Sequence, residues 1–340
     1  MQLHINTYGT YVHVKDDMFE IRNRDENKEV QKKHFSALKV TALWLCTGTS
    51  LSTDAIKLAM THNVDIVFLE QNGDPFGRVW HSKLGSTTKI RKAQLEASLS
   101  AGGLWWIKAW LTQKLENQRD FIKDLKKHRP QHSDFLDDKI SRIEALVISI
   151  QGQEGVAVAD VADTLRGLEG TAGRLYFQTL SYVLPEGGKF AGRSMRPAQD
   201  AFNACLNYAY GIMYSKVEKA LIIAGLDPYL GFMHRDDYNQ LSMVFDFIEP
   251  YRIFADEVVF RLFSAKKVNK AHCDELTNGI TLNKEGKAVL VTAFNEFMDG
   301  QPIRHGGRNM ARSTIIQYDA HSFGNTLIGK KGEGGLTVNG

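Results

Sequence analysis

Hydrophobic residues follow two different periods along the chain. Over residues 1–80, apolar and polar positions alternate in short segments that end at turn signals, which is the two-residue period of half-buried strands. The strands predicted in this way cover residues 3–6, 11–14, 19–22, 38–45, 64–69 and 76–80. A short helix is predicted over residues 52–62, where Ser52 can cap the first turn. Short strands joined by turns predict a small β-sandwich-like domain over residues 1–80.

Helical periodicity dominates the rest of the chain. Leu104, Ile107, Trp110 and Leu111 recur at three- and four-residue steps, and similar patterns continue downstream. We therefore predict a larger all-α domain over residues 93–323 that carries the functional site. The polar segment 81–92 is predicted to be a linker, and the Gly- and Lys-rich segment 324–340 a mobile tail. The predicted fold class is α+β, with the β domain first.

The composition excludes several classes of protein. The 340 residues include 42 basic and 39 acidic side chains, and the net charge of +3 argues against a polybasic protein. Cys46, Cys205 and Cys273 are far apart and odd in number, so neither a disulfide scaffold nor a zinc ribbon is expected. The sequence shows no signal peptide and no continuous apolar segment of membrane-spanning length. We therefore expect a cytoplasmic protein with no membrane partner.

One segment resembles a nucleotide-binding loop but does not have its chemistry. Residues 324–331 follow the pattern G-x-x-x-x-G-K-K, so Lys331 stands where a phosphate-binding loop has a Ser or Thr that contacts magnesium. The segment also leaves no room for the helix whose N-terminus would hold the phosphates. We therefore expect no nucleotide site there.

Glu169 lies in a helical pattern that contains two glycines. Gly170 and Gly173 each cost about 1 kcal/mol relative to Ala inside a helix, so their presence needs a reason. Small residues would keep the space around the Glu169 carboxylate open for a ligand. Close helix packing beside a surface pair of Glu169 and Arg174 explains the same residues, and the spacing alone favours this simpler explanation.

A second segment supplies an imidazole and two carboxylates. His234 follows a predicted turn, and a lone histidine is more often a structural hydrogen-bonding group than a ligand. Asp246 and Glu249 are three residues apart, so on a helix they would share one face. Burying both carboxylates requires a cation, which could be Arg252 or a divalent metal. Together with Glu169 the set is rich in oxygen and has one imidazole, which suits Mg²⁺ or Mn²⁺.

Four blocks in a fixed order resemble a known family. They are Glu169-Gly170-x-Ala172-x-Arg174-x-Tyr176-Phe177; Arg196-Pro197 followed by Asn203-x-x-Leu206-Asn207-Tyr208-x-Tyr210-Gly211; Gly225-Leu226-Asp227-Pro228-x-x-Gly231-Phe232-x-His234; and Asp246-Phe247-Ile248-Glu249-Pro250-x-Arg252. With the β-first organisation, these blocks resemble the CRISPR-associated adaptation endonuclease and integrase family over nearly the whole chain. The match is far more specific than any one block.

The resemblance implies a metal-dependent DNA endonuclease and integrase in the prokaryotic cytoplasm. Such an enzyme inserts short foreign DNA spacers into a CRISPR array by transesterification from a 3′-hydroxyl, as part of antiviral defence. The resemblance implies that Glu169, His234 and Glu249 hold Mg²⁺ or Mn²⁺, with Asp246 beside them as a fourth catalytic residue. The implied partners are double-stranded and branched DNA, a second copy of the chain bound through the N-terminal domain, and the small companion adaptation protein. The candidate DNA-binding residues are Arg174, Arg193, Arg196 and Arg252.

Three groups of basic residues fit a DNA-binding face, although a solvated charged surface explains each group as well. They are Lys83, Lys89, Arg91 and Lys92; Lys123, Lys126, Lys127, His128 and Arg129; and Arg304, His305, Arg308 and Arg312. An alternative function is a DNA-binding architectural subunit without catalysis, against which the complete set of Glu169, His234 and Glu249 argues. A metal hydrolase of small phosphate esters is a third hypothesis, and it predicts a closed pocket.

Overall fold

The two predicted parts of the chain form two separate compact units. The structure is a computed structural model, and it describes residues 1–24, 29–70, 75–79, 87–234 and 240–330. The units are Met1–Leu84 and Gly85–Gly340. The first is β-rich and the second is mostly helical, which confirms the predicted α+β fold class.

The described part of the N-terminal unit contains two four-stranded sheets and a helix. The strands are β1 (Gln2–Ile5), β2 (Tyr11–Lys15), β3 (Met18–Arg24), β4 (Val30–Ser36), β5 (Ala42–Cys46), β6 (Ser50–Leu51), β7 (Asp65–Leu69) and β8 (Pro75–Arg78), and the helix is α1 (Thr53–Thr61). One sheet has the order β1-β5-β7-β8, with its first three strands parallel. The other has the order β4-β3-β2-β6, with β2, β3 and β4 antiparallel. The sequence does not predict β4, because most of its side chains are polar and exposed.

Both sheets and α1 contribute to one small core. Val12 and Phe19 come from the second sheet, Leu43 and Ile66 from the first, and Ala55 from α1. The alternation in the sequence places these residues on the inner faces of their strands. Because the inner faces share a core, the unit is sandwich-like as predicted, with a helix packed into it.

The described part of the second unit is built mainly from helices. These are α2 (Thr87–Ser98), α3 (Ala101–Lys127), α4 (Ser133–Gln151), α5 (Ala162–Val183), α6 (Ala201–Ile223), α7 (Ser242–Phe247), α8 (Arg252–Ser264), α9 (Lys284–Asp299) and α10 (Arg312–Leu327). Two β-hairpins interrupt them, formed by β9 (Cys273–Leu276) with β10 (Gly279–Leu282) and by β11 (Ile303–His305) with β12 (Arg308–Met310). The prediction that this domain is entirely helical is therefore wrong in detail, since short polar strands pair at its surface.

The long helix α3 organises the aromatic core of the helical unit. The Trp110 ring stacks on the Phe232 ring at a centroid distance of 6.0 Å and meets the Phe247 ring edge-on at 5.5 Å. Phe323 of α10 contacts the Trp106 and Trp110 rings at 4.8 and 5.2 Å. These contacts hold α7 and the loop before it against α3, and so position the residues discussed below.

The predicted linker is wrong from residue 87 onward. α2 begins at Thr87, and residues 81–86 of the predicted linker lie outside the described residues. Ile90 and Gln94 lie on the buried side of this helix, whereas Lys89 and Lys92 are exposed. The polar composition of residues 87–92 therefore belongs to the solvent face of an amphipathic helix.

The predicted tail begins too early. α10 continues through Leu327, and residues 331–340 of the predicted tail lie outside the described residues. Gly324 serves packing rather than flexibility, because a Cβ there would lie 3.3 Å from the carbonyl oxygen of Ala224. None of the described helices combines the length and apolar composition that crossing a membrane requires.

Candidate active site

The loop that carries His234 is fixed from α2. After α6, Gly225 turns the chain with a left-handed φ of +82°. The buried side chain of Gln94 donates from Nε2 to the carbonyls of Asp227 and Leu230, both at 2.9 Å. Its Oε1 accepts the Asp227 N–H at 2.8 Å. All three bonds go to the loop, so the loop has a defined path up to the histidine.

Asp246 holds the end of this loop through four donors. The backbone N–H groups of Phe232, Met233 and His234 donate to its carboxylate at 2.6, 3.0 and 3.2 Å. The His234 ring donates from Nδ1 to the same carboxylate at 2.6 Å. Asp246 is only 1% exposed, and its burial is tolerated because these four donors form hydrogen bonds with its carboxylate. Asp246 therefore fixes both the backbone and the ring of His234.

Gly231 makes this arrangement possible by close approach. A Cβ at position 231 would lie 2.6 Å from the Ser242 Cβ and 3.1 Å from the Asp246 Oδ2. Any larger residue would therefore push the loop away from the start of α7. This gives a structural reason for the glycine in the P-x-x-G-F-x-H part of the sequence.

Glu169 and Glu249 converge on one buried cation, the ammonium of Lys114. The Lys114 Nζ contacts the Glu169 Oε1 and lies 2.6 Å from the Glu249 Oε2. The other oxygen of Glu249 accepts from the Arg252 Nε at 2.9 Å. Glu249 and Lys114 are only 3% and 6% exposed. Two carboxylates from distant parts of the sequence thus meet at one place, on the ammonium of a third residue.

The charges around Glu249 decide its protonation. Burial acts to raise the pKa of Glu249, but the nearby Arg252 and Lys114 lower it to about 2. For Lys114, burial acts to lower the pKa, and the charges of Glu249 and Glu169 outweigh burial and raise it. Glu249 is therefore a carboxylate and Lys114 an ammonium across the range in which proteins are stable.

His234 lies in the same electrostatic environment. Burial lowers its pKa, but the hydrogen bond to Asp246 and the charges of Asp246 and Glu249 raise it overall.

Arg166 lies one turn before Glu169 on α5 and donates to the carbonyl oxygen of Met233 at 3.1 Å. The helix of Glu169 is thereby tied to the loop of His234.

The donor set fits a divalent cation in its chemistry. Within the part of the chain that the structure describes, no three His, Cys, Asp or Glu side chains are arranged as a metal site. Three observations still favour one. Glu169 and Glu249 converge on one ammonium, that of Lys114, and the buried Glu249 Oε2 lies against this ammonium with no other partner among the described residues. Asp246 also occupies Nδ1 of His234, which leaves Nε2 as the nitrogen for a ligand. The assignment of metal ligands stays a prediction.

Sequence reasoning missed three residues that build this site: Lys114, Gln94 and Arg166. A signal for Lys114 exists, because it stands within the apolar stripe of α3 next to Leu115 and one turn after Leu111. A lysine at a core-facing position requires a carboxylate partner. Gln94 and Arg166 reach the loop of His234 through its backbone carbonyl and amide groups, and for such contacts the sequence offers no comparable signal.

A family model described as CRISPR associated protein Cas1 matches residues 3–296. The chain belongs to the Cas1 family. It is 31% identical over 342 residues to the CRISPR-associated endonuclease Cas1 1 of Archaeoglobus fulgidus, and the match covers 97% of each chain. The resemblance seen in the four sequence blocks is thereby confirmed.

Solved structures share the Cas1 fold seen here. A casposase bound to integration product has a TM-score of 0.77 at 20% identity, covering 99% of this chain and 93% of the casposase chain. A chain of a Cas6-RT-Cas1–Cas2 complex has a TM-score of 0.73 at 18% identity, covering 100% of this chain and 36% of the longer one. At these identities the likeness establishes the fold.

The glycines beside Glu169 face open space in this Cas1 family member. A Cβ at Gly170 or Gly173 would meet no described atom within 4 Å apart from its chain neighbours and the backbone of its own helix. Close packing between helices therefore does not explain them. The alternative, that they keep the surface near the Glu169 carboxylate open, is consistent with this geometry.

The four candidate DNA-binding arginines divide into two pairs. Arg193 is half-buried, donates to the Asn203 Oδ1 at 3.0 Å and lies over the Tyr210 ring, and burial lowers its pKa. Arg252 pairs with Glu249 and also lies over Tyr210. These two arginines are engaged inside the protein. Arg174 and Arg196 are exposed and stay candidates for DNA contact.

The three basic groups also differ. The second is largely neutralised, since Lys123, Lys126 and Lys127 pair with Glu144, Asp137 and Asp124. In the third, His305 pairs with Asp319, and Arg312 lies over the Phe297 ring. In the first, Lys83 lies outside the described residues, whereas Lys89 and Lys92 are exposed on α2. Arg304 and Arg308 of the third group are exposed as well, so the first and third groups both keep exposed cations that could contact DNA.

The candidate site opens toward solvent at two of its side chains. The Glu169 and His234 side chains are 30% and 32% exposed, while that of Asp246 is fully buried. A cleft of about 590 Å³ lies behind the Glu249–Tyr251 turn and is lined by Pro250 and Tyr251, but by none of the four candidate residues. An open site favours a polymeric substrate over a small ester held in a closed pocket.

Proposed function

We propose that this protein is a metal-dependent DNA endonuclease and integrase that inserts short foreign DNA into a CRISPR array. The observation that carries the proposal is the convergence of Glu169 and Glu249 on one cation, beside a histidine oriented by a buried aspartate. The name of the Archaeoglobus relative, an endonuclease, supports cleavage of nucleic acid. The casposase bound to its integration product, which shares this fold, supports integration.

The residues that would hold Mg²⁺ or Mn²⁺ are Glu169, His234 and Glu249. A divalent ion bound there would stabilise charge on the scissile phosphate and help to ionise the attacking hydroxyl. Arg252 and Lys114 keep Glu249 ionised. Asp246 occupies Nδ1 of His234, which leaves Nε2 as the nitrogen for a ligand.

The proposed reaction is a direct transesterification that needs no covalent enzyme intermediate. The 3′-hydroxyl of the incoming DNA forms a new bond to a phosphorus atom of the target strand. The bond from that phosphorus to its own 3′ oxygen breaks, and the proton of the attacking hydroxyl ends on the departing oxygen. The exposed Arg174 and Arg196 would contact phosphates of the two DNA molecules.

The proposed partners are double-stranded and branched DNA, a second copy of this chain and a Cas2 protein. The Cas6-RT-Cas1–Cas2 complex contains a chain of this fold, which supports a Cas2 partner. The sequence resemblance supports a homodimer built through the N-terminal unit. Light scattering coupled to size-exclusion chromatography measures the mass of the protein alone and of its mixture with Cas2. A protein that is monomeric alone and does not bind Cas2 would contradict this part of the proposal.

The replacement Glu169→Gln tests the proposed catalysis. It keeps the shape of the side chain but removes its charge, so nicking and joining of branched DNA with Mn²⁺ should fall by at least about 100-fold. The matched control is Glu186→Gln, at an exposed glutamate that pairs with Lys189. A Glu169→Gln protein that nicks and joins as fast as the parent would show that catalysis does not depend on Glu169. A parent protein that binds branched DNA but neither nicks nor joins it would favour the architectural alternative.

A further inference from the structure

Lys114 is an unusual residue for the middle of a helical core. It comes from α3, is 6% exposed and follows the same buried stripe as Leu111 and Leu115. A lysine side chain in this environment keeps its charge only when carboxylates compensate for the lost hydration. Here the compensation comes from Glu169 and Glu249, which reach it from two other parts of the fold.

The ammonium stands between the two glutamates that are expected to bind the metal. Each glutamate uses one oxygen for Lys114, and the second oxygen of Glu249 is held by Arg252. The two carboxylates are therefore balanced by two fixed cations. The Glu249 Oε2 lies 2.6 Å from the Lys114 Nζ and has no other partner among the described residues.

We propose that Lys114 is a resident counter-cation of the metal site. Before a divalent ion binds, it holds Glu169 and Glu249 together and prevents their mutual repulsion. When the ion binds, Lys114 competes with it for the same two carboxylates and so weakens its affinity. The role rests on the proposed function, because it assumes that these glutamates are metal ligands.

Two consequences follow from this competition. Without Lys114 and without metal, two carboxylates face each other in a buried place, so the folded state is less stable. With metal present, the ion no longer has to displace an ammonium, so it binds more tightly. Every 1.4 kcal/mol or so by which Lys114 opposes the ion corresponds to a factor of about ten in the dissociation constant.

The test uses the full-length protein with Lys114→Met, which has a similar length and no charge. In EDTA, its midpoint of thermal unfolding should lie several degrees below that of the parent. Titration with Mn²⁺, followed by the electron paramagnetic resonance of the free ion, should give a dissociation constant at least about fivefold lower than that of the parent. The control is Lys126→Met on the same helix, at an exposed lysine that pairs with Asp137, and it should change neither value.

A second variant keeps the test decisive if Lys114→Met does not fold without metal. Lys114→Arg retains the positive charge and can bind carboxylates bidentately, so its Mn²⁺ affinity should be equal to or weaker than that of the parent. Tighter binding by Lys114→Arg, or unchanged or weaker binding by a folded Lys114→Met, would overturn the role of Lys114 alone. A parent protein that binds no Mn²⁺ would overturn both this inference and the proposed function.

Discussion

The His234 ring donates its Nδ1 proton to Asp246 across 2.6 Å, and the same carboxylate accepts the backbone N–H of His234. One buried aspartate therefore sets both the position and the tautomer of the histidine. Asp246 is too enclosed by these donors to act as an open ligand, which assigns it the task of positioning. The sequence resemblance implies that Asp246 is a fourth catalytic residue beside the metal ligands, and the geometry indicates that it acts through His234.

Replacing Asp246 with Asn should lower the rate of DNA nicking by about 10–100-fold. Asn has one acceptor oxygen instead of two, and its NH₂ group would face N–H donors that now point at the carboxylate. The His234 ring would lose its fixed orientation, so the dissociation constant for Mn²⁺ should rise as well. Single-turnover nicking and a Mn²⁺ titration measure the two effects. Asp138→Asn, at an exposed aspartate beside Lys139, serves as the control. Equal rates for Asp246→Asn and the parent would contradict the positioning role.

A buried acid behind the site makes stability depend on pH. Asp256 accepts the Tyr210 O–H at 2.6 Å, and burial raises its pKa to about 6, against the opposing effect of that hydrogen bond. An acid with a raised pKa in the folded state binds more protons there than in the unfolded state. The free energy of unfolding therefore falls as the pH rises from the usual pKa near 4 to about 6, and remains lowered above that range.

The replacement Asp256→Asn should remove this pH dependence. Its oxygen can still accept the Tyr210 hydroxyl, while the cost of burying a charge disappears. The free energy of unfolding of the variant minus that of the parent should be larger at pH 8 than at pH 4, by up to about 3 kcal/mol. Urea unfolding at both pH values measures the two differences. A variant-minus-parent difference that is the same at pH 4 and pH 8 would show that Asp256 is not the titrating group.

The sequence was most informative where local pattern and chemistry coincide. Alternation and turn residues predict β1, β2 and β3, and Ser52 caps α1 as expected by accepting the Ala55 N–H. Local pattern fails where tertiary contacts decide. The polar strand β4 exists because it pairs with β3, and α2 begins among residues that look like a linker because its opposite face packs inward.

The candidate site shows the same division. Glu169, His234 and Glu249 carry charges or rings that suggest chemistry by themselves, and their blocks resemble a family. The residue that joins two of them, Lys114, lies 55 positions before Glu169, and no local pattern reveals which carboxylates it meets. Contacts between such distant positions are set by the packing of α3 against other helices, which a single sequence does not specify.

Two glycines near the site should respond to Ala in opposite directions. A Cβ at Gly231 would lie 2.6 Å from Ser242 and 3.1 Å from the Asp246 Oδ2, so Gly231→Ala should destabilise the fold by roughly 1–3 kcal/mol. A Cβ at Gly170 meets no described atom within 4 Å, so Gly170→Ala should stabilise α5 by about 1 kcal/mol. Denaturant unfolding measures both changes.

Gly170→Ala also tests why a glycine stands in this helix. If the open surface beside Glu169 admits the DNA backbone, the more stable variant should bind branched DNA less tightly than the parent. Stabilisation without loss of DNA affinity would instead show that Gly170 does not serve the site. For Gly231→Ala, stability and function should change in the same direction, because displacing the loop of His234 should reduce activity and stability together.

Replacing the exposed arginines should affect DNA binding, whereas replacing the half-buried Arg193 should affect the stability of the fold. Arg174 and Arg196 are exposed, so Gln at either position should leave the midpoint of thermal unfolding unchanged. If each contacts a phosphate, its loss should reduce the slope of log affinity against log salt by about 1. Arg193→Gln should instead lower the unfolding midpoint, because Arg193 donates to the Asn203 Oδ1 and lies over the Tyr210 ring. Fluorescence anisotropy of labelled DNA at several salt concentrations, together with thermal unfolding, distinguishes these outcomes. An unchanged salt slope for both exposed variants would place the DNA path elsewhere, with the exposed lysines of α2 as the next residues to replace.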